Sequence, residues 1–85
     1  MDREAALGRM VTILSPYLGA TMAEASTRAQ CLKLGIEGAS MTDEQLEALL
    51  ARLKSGLAVF VGREQTAGIV EKIRAALGAT AEGGA

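Results

Sequence analysis

The leucines between Leu46 and Phe60 place the strongest constraint on how this 85-residue chain can fold. They recur at the period of one helix face, and the spacing does not change at Gly56 (the positions are Leu46, Leu49, Leu50, Leu53, Leu57 and Phe60). The apolar run from Leu57 to Val61 would by itself also suit a buried strand, and a strand followed by Gly62 and a helix can begin a phosphate-binding site. Continuity with the preceding leucines favours a helix, because the run itself shows no alternation of apolar and polar residues.

Three further segments share the helical period, so the sequence predicts an all-α fold, a small four-helix bundle. The expected helices span residues 2–14, 16–34, 43–61 and 63–77. Leu7, Met10, Val11 and Leu14 share one face of the first helix. Thr66, Ile69, Val70, Ile73 and Leu77 form the inner face of the fourth.

Local signals set the expected helix boundaries. Ser15 precedes a proline, which disfavours helical geometry there, so a break is expected at Ser15 with Pro16 opening the second helix. Gly35 is suited to the left-handed position after that helix. Thr42 and Gln45 form a capping box at the start of the third helix, preceded by a Met41 that can pack on Leu46.

Residues 1–77 are expected to form a single helical domain, and residues 78–85 a flexible tail or linker. The tail sequence, GATAEGGA, has only small residues and one charge, so it can bury little surface. The sequence is not expected to contain an internal repeat.

Composition disfavours several classes of function. The chain has no histidine and one cysteine, so the sequence predicts neither a metal site nor a cofactor, and it offers no catalytic constellation. A formal charge of −1 with only two aromatic residues disfavours nucleic-acid binding. The start of the chain lacks the layout of a signal peptide and no stretch is long enough to span a bilayer, so we expect a cytoplasmic protein without a membrane partner.

The apolar content points instead to a protein partner. With glycine counted and Tyr17 left out, 51 of 85 residues are apolar, above the usual 45–50% and unexpected in so small a domain. The predicted second helix is apolar on two sides. One seam contains Leu18, Met22, Ala25, Ala29 and Leu32; the other contains Ala20, Ala23, Thr27, Cys31 and Leu34. A helix of this kind is either central in its own bundle or shared with a partner.

The sequence therefore predicts a non-catalytic module for protein–protein interaction or oligomerisation, possible roles being those of a small regulatory or adaptor domain. Its partner would be a second copy of the chain or another protein. The expected interface is Tyr17, Ala20, Ala23, Thr27, Cys31, Leu34 and Val59. Two alternatives remain open: an anion-binding domain that uses Arg63 and the Gly62 turn, and a dimeric nucleic-acid-binding regulator. Cys31 is expected to be a packing residue rather than a nucleophile, since no histidine can activate it.

Overall fold

Four helices and no strand form the part of the chain that a computed structural model describes, which is residues 1–83, with side chains described for residues 1–77. The helices are α1 (Arg3–Leu18), α2 (Ala20–Leu34), α3 (Asp43–Val61) and α4 (Arg63–Gly83). The helices pack in a ring, in which α1 contacts α2, α2 contacts α3, α3 contacts α4 and α4 contacts α1. The predicted all-α bundle is thus confirmed, and α3 passes through Gly56 without a strand.

Most predicted boundaries are confirmed by the cap geometry. The Asp2 carboxylate accepts from the Ala5 N–H at 2.8 Å, and Thr42 and Gln45 form both bonds of the capping box. Gly35 takes the left-handed conformation, and the Ile36 N–H then bonds the Cys31 carbonyl at 2.9 Å. Ile36 and Met41 are buried, so both ends of the α2–α3 linker are tied to the core.

The predicted break at Ser15 is wrong, because α1 continues through Pro16 and ends at Leu18. Pro16 lies in the last turn, where it removes only the hydrogen bond to the exposed Thr12 carbonyl. The Ser15 hydroxyl donates to the Val11 carbonyl at 2.6 Å rather than capping a new helix. The chain reverses at Gly19 instead, whose φ of 86° and ψ of 150° are accessible to glycine but not to other residues.

Gly19 and Gly62 make the same one-residue connection. Gly62 has φ 85° and ψ 165°. In each case the glycine N–H donates to the carbonyl four residues back, and the glycine carbonyl accepts from the N–H four residues on, at Ala23 and Thr66 respectively. One residue therefore ends one helix and begins the next, and the bundle consists of two helical hairpins, α1–α2 and α3–α4.

The first helices of the two hairpins, α1 and α3, are related by a sequence repeat with an offset of 43 residues, the separation of Gly19 and Gly62, whereas α2 and α4 agree at one of 15 positions at that offset. The segments EAALGRMVTILSPYLG (4–19) and EALLARLKSGLAVFVG (47–62) agree at six of 16 positions. The buried residues of α1 correspond to buried residues of α3, namely Ala6 to Leu49, Leu7 to Leu50, Met10 to Leu53 and Leu14 to Leu57. The expectation that the chain has no internal repeat is therefore wrong.

Equivalent glutamates brace the hairpins from outside. Glu4 of α1 pairs with Arg28 of α2 at 2.9 Å, and Glu47 of α3 pairs with Arg74 of α4 at 2.7 Å.

The α4 backbone is helical to Gly83, six residues beyond the predicted end at Leu77. The predicted flexible tail falls on residues 78–83, where side chains are not described, and on residues 84–85, which lie outside the described residues.

Candidate interaction surface

Three of the seven predicted interface residues belong to the core. Ala23 and Thr27 are fully buried and Cys31 is 2% exposed. They line the side of α2 that packs into the bundle beside α1, because a single residue joins the two helices and brings them together at once. Their small side chains do admit a second helix at close range, but that helix is α1. As surface residues for a partner, all three predictions are wrong.

The other four residues are partly or fully accessible. Ala20 lies exposed at the start of α2, and Val59 is 84% exposed on α3. Tyr17 and Leu34 are half-buried and pack against the core. Tyr17 ends α1 rather than beginning α2, as a result of the shifted junction. These four residues are spread over three helices, so they do not define one surface.

The solvent-facing side of α2 is the seam that the sequence analysis did not select. Met22 is 47% exposed and Leu32 is 74% exposed, and Ala25 and Ala29 between them are also exposed. These four side chains form one stripe, which we call the outer face of α2. The charged residues of the helix, Glu24, Arg28 and Lys33, flank it without interrupting it. An ordinary bundle helix would carry polar residues on this side.

The repeat supplies an internal comparison for this face. The α4 residues 43 positions after the four stripe residues are Gln65, Gly68, Lys72 and Ala75, and all four are exposed. At the ends and middle of the stripe, α4 therefore has glutamine, lysine and alanine where α2 has Met22, Ala29 and Leu32. Two of the four positions, those of Met22 and Ala29, are therefore polar in α4, so the fold does not require an apolar residue at either of them.

A second exposed apolar residue belongs to the same side of the molecule. Phe60, which the leucine period places on the core face, is 65% exposed, and this part of the prediction is wrong. Its repeat equivalent, Tyr17, is covered by Lys72 of α4, whose ammonium nitrogen lies 3.3 Å from the tyrosine oxygen and 5.9 Å from the ring centre. The residue equivalent to Lys72 is Ala29, which is too short to cover Phe60.

A groove between α2 and α3 connects Phe60 to the outer face of α2. The Arg52 side chain donates to the Gln30 side-chain oxygen at 2.6 Å, which sets the antiparallel register of the two helices. One turn further along, Ser26 and Gly56 line the same groove, whose volume is about 200 Å³. Another turn places Met22 level with Phe60. Met22 and Phe60 therefore lie at the same level on the two helices that border this groove.

Cys31 is a buried thiol, and its burial outweighs the effect of the nearby Arg3 and Arg28, which act to lower its pKa. This burial raises the pKa of the thiol above the ordinary value. A thiol whose pKa is raised is protonated at neutral pH and is a poor nucleophile.

We expect Cys31 to react with iodoacetamide at pH 7.5 at least about tenfold more slowly in the folded chain than in urea, because both its burial and its raised pKa hold back the thiolate. Mass spectrometry of quenched samples measures the rate. Equal rates in the two solvents would contradict the core position of α2.

Arg63 and the Gly62 turn lie in a shallow cleft between α3 and α4. Lys54, Ser55 and Thr66 line the same cleft, and the Thr66 hydroxyl already donates a hydrogen bond to the Gly62 carbonyl at 2.7 Å.

Within the described residues, no group of three or more Asp, Glu, Cys or His side chains is placed to hold a metal ion. No helix in the same part of the chain is long and apolar enough to cross a membrane.

Comparison with protein-family models, with curated proteins and with solved structures finds nothing that matches this chain. Its function therefore has to be inferred from its own geometry.

Proposed function

We propose that this chain is a non-catalytic module for protein–protein interaction and that it docks through the outer face of α2 together with Phe60. The observation that carries the proposal is the difference between the two hairpins. Met22, Ala29 and Leu32 are exposed on α2, while the equivalent positions of α4 hold Gln65, Lys72 and Ala75. Because the fold accepts a polar residue at the first two of these positions and only an alanine at the third, burial against a partner is the physical reason that best accounts for the apolar residues of α2.

The proposed surface has the composition of an interface centre. Charged residues are depleted at the centre of protein interfaces, while aromatic residues and methionine are enriched. Phe60, which lines the α2–α3 groove, and Met22, which the register of the two helices places at the same level on α2, supply these two residue types. Arg52 and Gln30 close one end of the groove with polar groups, as a polar rim would.

The test replaces α2 residues with the residues that the repeat places at the same positions of α4. A chain carrying Met22→Gln and Ala29→Lys should keep the melting temperature of the original within a few degrees, because both sites are exposed. It should lose at least about tenfold in binding, since interface centres carry most of the affinity. Binding is measured by capture from an extract of the source cells, with a tagged second copy of the chain included, so that self-association is counted too.

The matched control is Ala75→Gln with Ala67→Lys, which adds the same side chains to exposed sites of α4. This control should bind as the original does. If the α2 variant and the original retain the same proteins, the outer face of α2 is not an interaction surface and the proposal is wrong. Anion binding through Arg63 and nucleic-acid binding by a dimer remain the alternative predictions.

A further inference from the structure

We infer that the partner of the outer face of α2 is a second copy of this chain, with the two α2 helices packed antiparallel across a two-fold axis at the level of Thr27. This inference rests on the proposed function and specifies its partner. It follows from the symmetry of the stripe, from the charges beside it and from the position of Phe60.

The stripe reads the same in both directions. Met22 and Leu32 are each five residues from Thr27, and Ala25 and Ala29 are each two residues from it. A two-fold interface must be self-complementary, so that when residue i meets residue j, residue j also meets residue i. Antiparallel pairing about Thr27 meets this condition, because it sets Ala25 against Ala29 at the centre and Met22 against Leu32 at both ends. Alanines at the centre let the helix axes approach to the short end of the usual 8–10 Å range.

The charges on the α1 side of the stripe are compatible with this pairing. Glu24 and Arg28 lie on the same flank and form an ion pair at 3.5 Å. A two-fold axis perpendicular to both helices keeps equal flanks together, so Arg28 of the second copy arrives about 3 Å along the helix from the level of Glu24. Each Arg28 also binds its own Glu4, and this pairing lowers the pKa of the Glu4 carboxyl. The flank thus brings two copies of Arg28 and four glutamates together, and each Glu4 also has its own Arg3 at 3.3 Å, so four arginines face four glutamates.

The groove residues enlarge the contact at each end. A stable dimer buries about 800 Å² per chain, and the stripe from Met22 to Leu32 is only about 15 Å long. Phe60 and Val59 lie on α3 beside Met22, which pairing sets opposite Leu32 of the second copy. Each end of the interface would then bury one methionine, one leucine, one phenylalanine and one valine, the largest exposed apolar side chains of α2 and α3.

Disulfide cross-linking tests both the partner and the direction. In a Cys31→Ala background, Ala25→Cys and Ala29→Cys chains are prepared separately, one with a mass tag. A disulfide needs Cα atoms closer than about 7 Å, which antiparallel pairing provides between positions 25 and 29 but not between two copies of the same position. The mixture should therefore form cross-linked dimer at least about tenfold faster than either chain alone under the same mild oxidation. Equal rates for the single chains and the mixture would overturn the antiparallel arrangement.

The unmodified chain provides the second measurement. Sedimentation equilibrium should show the mass rising from 8.8 kDa to about twice that value with concentration, and Met22→Gln with Ala29→Lys should abolish the rise. A dimer with a dissociation constant above about 1 mM would be too weak to function. A mass of 8.8 kDa at every concentration up to that value would therefore overturn the second copy as partner. If capture of a different protein then still depended on Met22 and Ala29, the proposed function would stand without this inference. If neither effect depended on them, both would fall.

Discussion

We expect Ala23→Glu to unfold this domain. Ala23 is fully buried where α2 packs beside α1, and it follows the one-residue junction at Gly19 by a single turn, so the helices cannot separate locally to admit a longer side chain. An unpaired carboxylate in such a contact costs several kcal/mol. That cost is comparable to the whole stability of a small domain, about 5–15 kcal/mol. Circular dichroism at 25 °C should show most of the helical signal lost.

Ala20→Glu is the matched control. It makes the same substitution three residues earlier on the same helix, at an exposed site in the first turn, where the helix dipole favours a negative charge. The free energy of unfolding of this variant, measured in urea, should lie within about 0.5 kcal/mol of that of the original chain. If Ala23→Glu were as stable as Ala20→Glu, the seam of Ala23, Thr27 and Cys31 would be a surface, and the assignment of the two sides of α2 would be reversed.

Leu14→Ala and Leu57→Ala should be nearly equal in their effects, each lowering the free energy of unfolding by about 2–5 kcal/mol. The two leucines are repeat equivalents, 0% and 3% exposed, each five residues before the glycine that joins its hairpin. Truncation removes the same methyl groups from equivalent positions of one core. Urea denaturation followed by circular dichroism measures both values.

Leu32→Ala supplies the comparison, because Leu32 is 74% exposed on α2. In dilute, monomeric chain its truncation should cost less than about 0.5 kcal/mol. A loss below about 1 kcal/mol for Leu57→Ala would mean that α3 is wrongly phased. A large loss for one leucine and a small loss for the other would contradict the equivalence of the two hairpins.

The sequence was sufficient to predict the structure wherever a local signal and the helical period agreed. The Thr42–Gln45 capping box, the Gly35 cap and the leucines from Leu46 to Leu57 all lie where they were predicted. Each of these features depends on a few neighbouring residues, and no tertiary contact competes with them.

One prediction failed because tertiary packing outweighed a local preference. The steric rule for residues before proline placed a break at Ser15, whereas the core contacts of Leu14 and Leu18 continue α1 to the glycine. This one error also concealed the repeat, since a junction at Ser15 does not align with the junction at Gly62. A junction at Gly19 does align with Gly62, and it pairs Tyr17 with Phe60 and Leu18 with Val61 before the two glycines.

The choice between the two seams of α2 could not be made from that helix alone. Both seams contain small and apolar residues, so composition does not say which one meets α1. The distinguishing information is in α4, where the repeat shows Gln65 and Lys72 at the positions of Met22 and Ala29. The prediction for Phe60 failed for a related reason. Lys72 covers Tyr17, the repeat equivalent of Phe60, but the position equivalent to Lys72 holds Ala29, which leaves Phe60 exposed.

The most direct test of the claim that a second copy covers the outer face of α2 uses the four methionines. Met10 and Met41 are buried, Met1 is 39% exposed and Met22 is 47% exposed in the single chain. Methyl-¹³C methionine spectra are recorded with a soluble paramagnetic agent over a range of protein concentration. In dilute chain Met22 should be broadened as strongly as Met1. As the dimer forms, Met22 should become as protected as Met10 and Met41 while Met1 does not change. A Met22 signal that remains as accessible as that of Met1 up to about 1 mM would contradict the claim.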